Sequence, residues 1–308
     1  AIIVASLYIA SLCQKLNTSY EVHLSTQLSI TNSKTIEFYK SLGIDRVVLA
    51  RELDLKTIDM LTKRSDLPIE VFIHGGMCVN YSGRCTLSND MTLRDANRGG
   101  CAQSCRWTYE LTQGDQILSL KEDPFTMGSK DLETLDEIES LIQAGVVSFK
   151  IEGRMKSAYY IAVIVKAYRT WIDALATNTA DEALKARLKS ELRMAESRMT
   201  FDGYLNTLPD QSGQVYVSQE EGALQNFVGT VLSVSDGKAL VEIRNNLKLN
   251  ETLEVFSATK SLESFDVSVM IDETDQAITV ANKPLAKIRI NIPQDVSAGD
   301  FLRRKVNP

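Results

Sequence analysis

The chain has 308 residues, 44% of them hydrophobic and 24% charged, with 40 Asp and Glu against 34 Lys and Arg and a net charge of −6. This composition excludes a disordered chain and suits one large globular domain with a smaller one. The acidic balance also excludes a surface coated in positive charge for nucleic acid, since neutralising phosphates takes Lys and Arg at the contact, and leaves only a local basic patch open.

The apolar run from Ala1 to Cys13 is too short to span a bilayer and lacks the basic start of a signal peptide. A cytoplasmic protein with no membrane partner is therefore expected. The chain begins on a strand pattern, without Met or a polar lead-in, and so reads as a fragment. Ile2 to Ser6 predicts a buried strand, with Leu7, Ile9, Leu12 and Leu16 on the inner side of the helix after it. Strands are expected again at Val22–Gln27, Asp45–Ala50 and Ile69–His74, alternating with helices at Asn32–Leu42 and Asp54–Lys63. A hairpin is expected over Tyr109–Leu120, a helix over Asp131–Ala144, a fifth strand over Val146–Ile151 and a long apolar helix over Ser157–Ala176. Asp181–Met199, rich in alternating charge, predicts an exposed helical arm. From Gln225 the texture becomes short runs of alternating apolar and polar residues with an Asp-Gly turn, the pattern of a small all-β barrel. Repeated strand–helix units with short loops imply an α/β domain on a parallel sheet. Five units do not close a barrel, and an independent doubly wound sheet is the competing reading.

Between the fourth strand and the hairpin lie four of the five cysteines, Cys78, Cys85, Cys101 and Cys105, spaced C-x6-C-x15-C-x3-C. Glycines and turn formers between them let the loop fold back and bring four sulfurs to one point. Structural zinc sites favour closer pairs, whereas iron–sulfur clusters accept varied spacings. Disulfides and unligated buried thiols stay open as well, the former disfavoured by a reducing compartment. Arg94, Arg98 and Arg106 thread this loop, and Lys150, Arg154 and Lys156 follow the fifth strand.

Three segments, HGGMCVNYSGRC from His74, ANRGGCAQSCRW from Ala96 and FKIEGRMKSAYY from Phe149, resemble the signature of the peptidase U-32 family, also called collagenase-like proteases. Within the family they are most similar to the proteins of tRNA 5-hydroxyuridine formation. The resemblance implies an eight-stranded (β/α) barrel of TIM type, of which this chain holds five units, and a small C-terminal all-β barrel. The implied domains are residues 1–222, catalytic and N-terminally incomplete, and 223–308. It further implies a 4Fe-4S cluster, with zinc as the alternative metal, held by Cys78, Cys85, Cys101 and Cys105. The implied reaction is oxygen-independent hydroxylation of the tRNA wobble uridine, with prephenate as co-substrate. In such a barrel the carboxyl ends of the strands face the active site. There His74 and Glu152 are the catalytic candidates, and Arg51, Lys150 and Arg154 those for substrate carboxylates or RNA phosphates. Arg51 and Glu52 are equally expected to pair with each other, and His23 to be a hydrogen-bonded strand histidine. A peptidase is the alternative, yet H-E-x-x-H and G-x-S-x-G are both absent and the chain has two histidines. A Cys78–His74 nucleophile pair would leave three cysteines without a purpose. A non-catalytic RNA-binding adaptor is the third reading. The apolar edge left by the missing units is expected to be covered by a second copy or a complementing polypeptide.

Overall fold

The computed structural model describes residues 1–16, 19–119, 125–195, 198–215, 226–257 and 261–304, for 261–263 the backbone alone. Leu120, where the expected hairpin ends, and Gln225, where the β-rich segment was expected to start, lie outside them. The contacts divide the chain into two compact units, Ala1–Arg154 with Arg198–Gly222, and Met155–Ser197 with Ala223–Pro308. The fold is mixed α/β with a separate antiparallel sheet.

The first unit opens with the expected alternation: β1 (Ile2–Val4), α1 (Leu7–Lys15), β2 (Val22–Leu24), α2 (Ser33–Ser41), β3 (Arg46–Val48), α3 (Leu55–Arg64) and β4 (Ile69–Gly75). Asn32 and Asp54 start α2 and α3 by accepting the Thr35 and Thr57 amides on their side chains, the usual way an N-cap satisfies an orphan N–H. The cysteine segment carries only the short helix α4 (Leu87–Thr92) and single 3-10 turns, and leads to the hairpin β5 (Thr112–Gln113) and β6 (Gln116–Ile117). Then come β7 (Asp131–Glu133), α5 (Ile138–Gln143) and β8 (Ser148–Glu152).

Strands β1, β2, β3 and β4 pair in parallel in that order, and β8 runs parallel to β4 from Glu70↔Ser148 to Gly75↔Glu152. These are the five strands expected. Among the described residues β1 pairs only with β2 and β8 only with β4, so the ladder does not close on itself. The helix expected over Asp131–Ala144 is corrected: its first residues are β7, antiparallel to the end of β4 through His74↔Glu133 and Gly75↔Leu132, and helix begins at Ile138. Residues that read as a helix start are used elsewhere, Asp131 at 3% exposure meeting Arg106 and the neutral Thr134 hydroxyl donating to the Ile73 carbonyl.

In parallel sheets register partners share a face, which sorts the side chains here. Ile69, Val71 and Ile73 form an apolar face, while Glu70, Phe72, Arg46, Ser148 and Lys150 stand together on the other. A parallel sheet covered on both sides reads as continuous apolar runs. One face of this sheet is instead built for polar contacts.

In the second unit, α6 (Ala158–Ala176) and α7 (Glu182–Ala195) group with the β-rich segment. The arm expected at α7 is packed, with Leu188 and Leu192 buried and Glu191 engaging Arg303. After β9 (Thr200–Phe201) of the first unit come β10 (Phe227–Ser235), β11 (Lys238–Ile243), β12 (Leu247–Lys248), β13 (Thr252–Phe256), β14 (Ser261–Asp266), β15 (Met270–Ile271), β16 (Val280–Ala281), β17 (Lys287–Asn291) and β18 (Phe301–Arg304). Seven of these make a curled antiparallel half-barrel in the order β14-β13-β18-β10-β11-β17-β15. Its inward residues Val241, Ile243, Leu253, Ile290 and Leu302 are all fully buried. Tyr159 of α6 stacks on Phe227 at 4.6 Å and meets Phe301 edge-on at 5.6 Å, an arrangement aromatic quadrupoles favour.

Candidate functional site

Strand β4 hands the chain to the cysteine loop through Gly75 and Gly76; space requires the first and is tight at the second. Gly75 has φ +109, and a Cβ there would lie 2.0 Å from the Glu152 carbonyl oxygen. At Gly76 a Cβ would stand 3.2 Å from Glu152 Oε2 and 3.4 Å from Arg106 Nη2. The end of β8 therefore presses directly on the turn, which brings Glu152 beside the start of the loop.

The loop is fastened by polar contacts from residues distant in sequence. Arg51 Nη1 donates to the Gly76 carbonyl at 2.7 Å while its guanidinium lies 3.7 Å over the Phe72 ring. Glu52 Oε1 accepts the Ser82 amide at 2.6 Å. Each charge thus goes to the loop rather than to its neighbour. Arg106 Nη2 donates to the Met77 carbonyl at 3.0 Å and meets Asp131 at 3.0 Å; Arg198 donates to Gln103 Oε1 at 3.0 Å and lies 3.6 Å from the same Asp131. Within the loop, Asn97 donates to the Cys85 carbonyl and Asn89 accepts the Ala96 amide. Asp131 and Arg198 escape a sequence reading, because nothing near either one announces a partner 25 or more residues away.

No disulfide joins Cys78, Cys85, Cys101 or Cys105 in this geometry; Cys85 is buried and Cys78, Cys101 and Cys105 are half-buried. Burial pushes the Cys78 thiol up, with Cys85 and Cys101 adding to the rise and Arg51 opposing it; burial likewise raises Cys105, against Arg106 and with Cys78, Cys101 and Cys85. Cys78 and Cys105 thus each feel the charge of other thiols of the set. Several thiolates cannot share such a space alone, and a bound cation inverts that preference. Cys78 takes a hydrogen bond from the Asn80 backbone, and the Gln103 amide donates to Cys101 Sγ at 3.3 Å, the kind of support that thiolate ligands of iron receive. Four cysteines on one loop are the donor type that a thiolate-bound metal centre uses, but their side chains are not drawn together here. Among the described residues, no three His, Cys, Asp or Glu side chains are gathered into a ligand shell.

The remaining candidates are placed as follows. His74 is buried at 1% exposure in β4. Lys150 lies 3.2 Å from Glu70 Oε1 and 5.3 Å over Phe72. Burial works against the Glu70 charge, but the Ser148 hydroxyl at 2.8 Å, Lys150 and Arg46 hold its carboxyl below the usual range. Arg154 is exposed, its guanidinium occupying the space over Gly99, where a Cβ would be 2.8 Å away. Glu152 accepts the Arg154 amide at 3.2 Å. His23 is a satisfied strand histidine, buried and 2.8 Å from Glu21. The geometry brings Arg51, Glu152 and the turn before Cys78 together, sets Arg154 against the loop at Gly99, and keeps Lys150 on Glu70.

A mixed sheet whose central strand feeds a four-cysteine loop, followed by an antiparallel half-barrel, is the arrangement to be placed among known proteins. Residues 1–214 match Peptidase family U32 and residues 224–303 match the Peptidase family U32 C-terminal domain. The chain belongs to peptidase family U32. It is 36% identical over 310 residues to tRNA hydroxylation protein P1 of Bacillus subtilis, covering 98% of this chain and 74% of that protein. It is 40% identical to the 23S rRNA 5-hydroxycytidine C2501 synthase of Escherichia coli over 56% of this chain and 26% of that one. It is also 39% identical to a collagenase of Porphyromonas gingivalis, over 60% of this chain and 47% of the relative. No described helix is long and apolar enough to cross a membrane.

Proposed function

We propose that this chain belongs to an enzyme that hydroxylates RNA, in its finer form converting the tRNA wobble uridine to 5-hydroxyuridine with prephenate as co-substrate. The observation that carries the reading is the presence of four thiols, none of them in a disulfide, on the one loop that leaves the end of β4, in a chain whose relatives are named for tRNA and rRNA hydroxylation. Cys78, Cys85, Cys101 and Cys105 would hold a 4Fe-4S cluster. Bound there, the cluster supplies one-electron redox chemistry, which zinc, the alternative metal, does not.

The protein's own residues then have the following parts. Arg51 fixes the turn before Cys78 and offers positive charge to a carboxylate. Arg154, exposed beside Gly99, holds a carboxylate or a phosphate, and Lys150 lends charge to the same side from its place on Glu70. Glu152, whose Oε2 borders Gly76, takes or returns a proton at the loop. His74, buried beneath it, is the second proton-handling group.

We read the five parallel strands as part of a (β/α) barrel within a catalytic domain of residues 1–222, with residues 223–308 as a β-barrel that docks RNA or shields the site. Exposed Ile2, Ile3 and Leu16 support a covering second copy or complementing polypeptide. A cytoplasmic location follows from a tRNA substrate.

Anaerobically purified protein should contain iron and acid-labile sulfide in equal amounts, lose both in Cys78→Ala, and restore 5-hydroxyuridine, seen by mass spectrometry of tRNA, to a strain lacking the gene. Metal-free protein that still modifies tRNA would end the reading. One observation, the likeness to a collagenase, favours a peptidase instead; gelatin cleavage that co-purifies with the protein and is lost in Cys78→Ala would select it. RNA binding without modification of any RNA would select an adaptor.

A further inference from the structure

The cysteine loop borders a cleft of about 860 Å3 whose lining includes Val79, Asn80, Thr86, Asn89, Leu93 and Met127, within the roughly 300–1,000 Å3 of small-molecule sites. Val79 and Asn80 follow Cys78 directly and Thr86 follows Cys85, so three lining residues are chain neighbours of two of the four thiols. The chemistry of the cleft is selective. Val79, Leu93 and Met127 offer apolar contact; Asn80, Asn89 and Thr86 offer neutral hydrogen bonds; among the described residues the one charged lining side chain is Asp90. Among the described lining residues a phosphate or a dicarboxylate meets no cation and is repelled by Asp90. A flat, neutral, hydrogen-bonding group is what such a lining accepts. A carboxamide carries a donor and an acceptor side by side, the complement of the amide-like edge of an unpaired base. Asn89 Oδ1 already accepts the Ala96 amide at 3.1 Å, which turns its Nδ2 to the work of donating.

Next to the cleft the character is opposite, for Arg84 and Arg98 line a second recess that shares Thr86 with it. Residues 78–106 hold four Arg, no Lys and two Asp in a chain of net charge −6. Arg84, Arg94 and Arg98 are exposed, as is Tyr81 at 56% and Trp107 at 44%. Exposed guanidinium and aromatic planes beside a neutral cleft match a nucleotide strand, with phosphates and stacked neighbours outside and one base inside.

Resting on the RNA-hydroxylation reading above, we propose that this cleft receives one unpaired base of an RNA loop, Asn80 and Asn89 reading its edge while Arg84, Arg94 and Arg98 hold the flanking phosphates. The base is thereby presented to the side of the loop that carries Cys78 and Cys85.

The test is binding of a stem-loop RNA with one loop uridine, against the same RNA made abasic at that position, followed by fluorescence anisotropy. Wild-type protein should bind the abasic RNA about tenfold more weakly, the loss expected for one base contact. The variant Asn80→Ala with Asn89→Asp, which keeps the acceptor for Ala96, should bind both RNAs alike. Arg94→Ala with Arg98→Ala should weaken both RNAs equally and flatten the dependence on salt. If the asparagine variant fails to fold by circular dichroism, Thr86→Val with Met127→Ala is read the same way. Equal binding of the two RNAs by wild type, discrimination that survives in the cleft variant, or no RNA binding would each overturn the proposal. Mass spectrometry of the same RNA separates this from the chemistry: hydroxylation without base discrimination removes the cleft assignment alone, and base discrimination without hydroxylation removes the reaction alone.

Discussion

The antiparallel sheet of the second unit and the cysteine loop of the first are stabilised by different physics. The sheet encloses an apolar cluster in which Val228, Val241, Ile243, Leu253 and Ile290 have no exposure, and its buried Arg303 is shared between Glu191 at 2.9 Å and Glu254 at 3.0 Å. The loop buries little apolar surface of its own: Val79, Tyr81, Met91, Leu93 and Trp107 are all exposed. It is positioned instead by Arg51, Glu52, Arg106, Asp131 and Arg198. Burial is non-directional and tolerates exchange of one apolar side chain for another. A charge network tolerates little, because removing one member leaves another buried without a partner.

The largest effect should follow from removing the centre of that network. In Asp131→Ala two guanidiniums of 7% and 14% side-chain exposure are left facing each other, a change that in buried sites costs about 3–5 kcal/mol. Denaturant unfolding should show the loss, and a thiol reagent should reach Cys105 faster than in wild type. Leu253→Ala in the sheet, at about 3 kcal/mol for a fully buried leucine, should destabilise nearly as much yet leave thiol reactivity under native conditions unchanged. Equal thiol reactivity in the two variants would erase the distinction between the regions.

A smaller effect belongs to Glu70, on the polar face of the sheet. Lys150 and Arg46 are about a quarter exposed and therefore partly solvated, so Glu70→Gln should cost about 2 kcal/mol rather than the full penalty of a buried pair. Its pH dependence has a definite sign. The folded carboxyl lies below its ordinary value, so its contribution is complete above the unfolded value of about 4.3 and fades as pH falls through the lower folded value. The gap between wild type and Glu70→Gln should be constant at neutral pH and shrink below about pH 4. A gap that widened in acid would place the stabilising interaction elsewhere.

The same contrast explains what the sequence discloses. The five parallel strands and the antiparallel strands of the second unit show as periodic apolar runs between turn formers, and their placement follows from that period. That four cysteines share one loop is legible too, whereas the contacts that fasten this loop are not. The acidic start of 131–144 misleads because a helix-like pattern of Asp and Glu is identical, residue by residue, to a strand whose carboxylate is claimed by Arg106. Likewise the charge pattern of α7 shows an exposed face and hides Leu188 and Leu192, which are buried. Arg51 is expected to bind substrate from its place after a strand, yet its contact with the Gly76 carbonyl depends on a fold-back of 25 residues. Non-local polar pairing carries no period, so it is the part a sequence conceals.

The smallest predicted effect isolates one thread of that pairing. Ser82 sits at φ 53, in the left-handed region, with its amide donating to Glu52 Oε1 at 2.6 Å. A serine is held there against its own backbone preference by a charge-assisted hydrogen bond, of a kind roughly twice as strong as a neutral one. Glu52→Gln keeps an oxygen acceptor and removes only the charge, so global stability should fall by about 1 kcal/mol or less. The local consequence should be easier to see than the global one. Amide hydrogen exchange at Ser82 should quicken severalfold while exchange in β4 and in the antiparallel sheet stays as in wild type. If exchange at Ser82 did not change, the loop would be fixed by its own turns and the charge of Glu52 would be incidental to it.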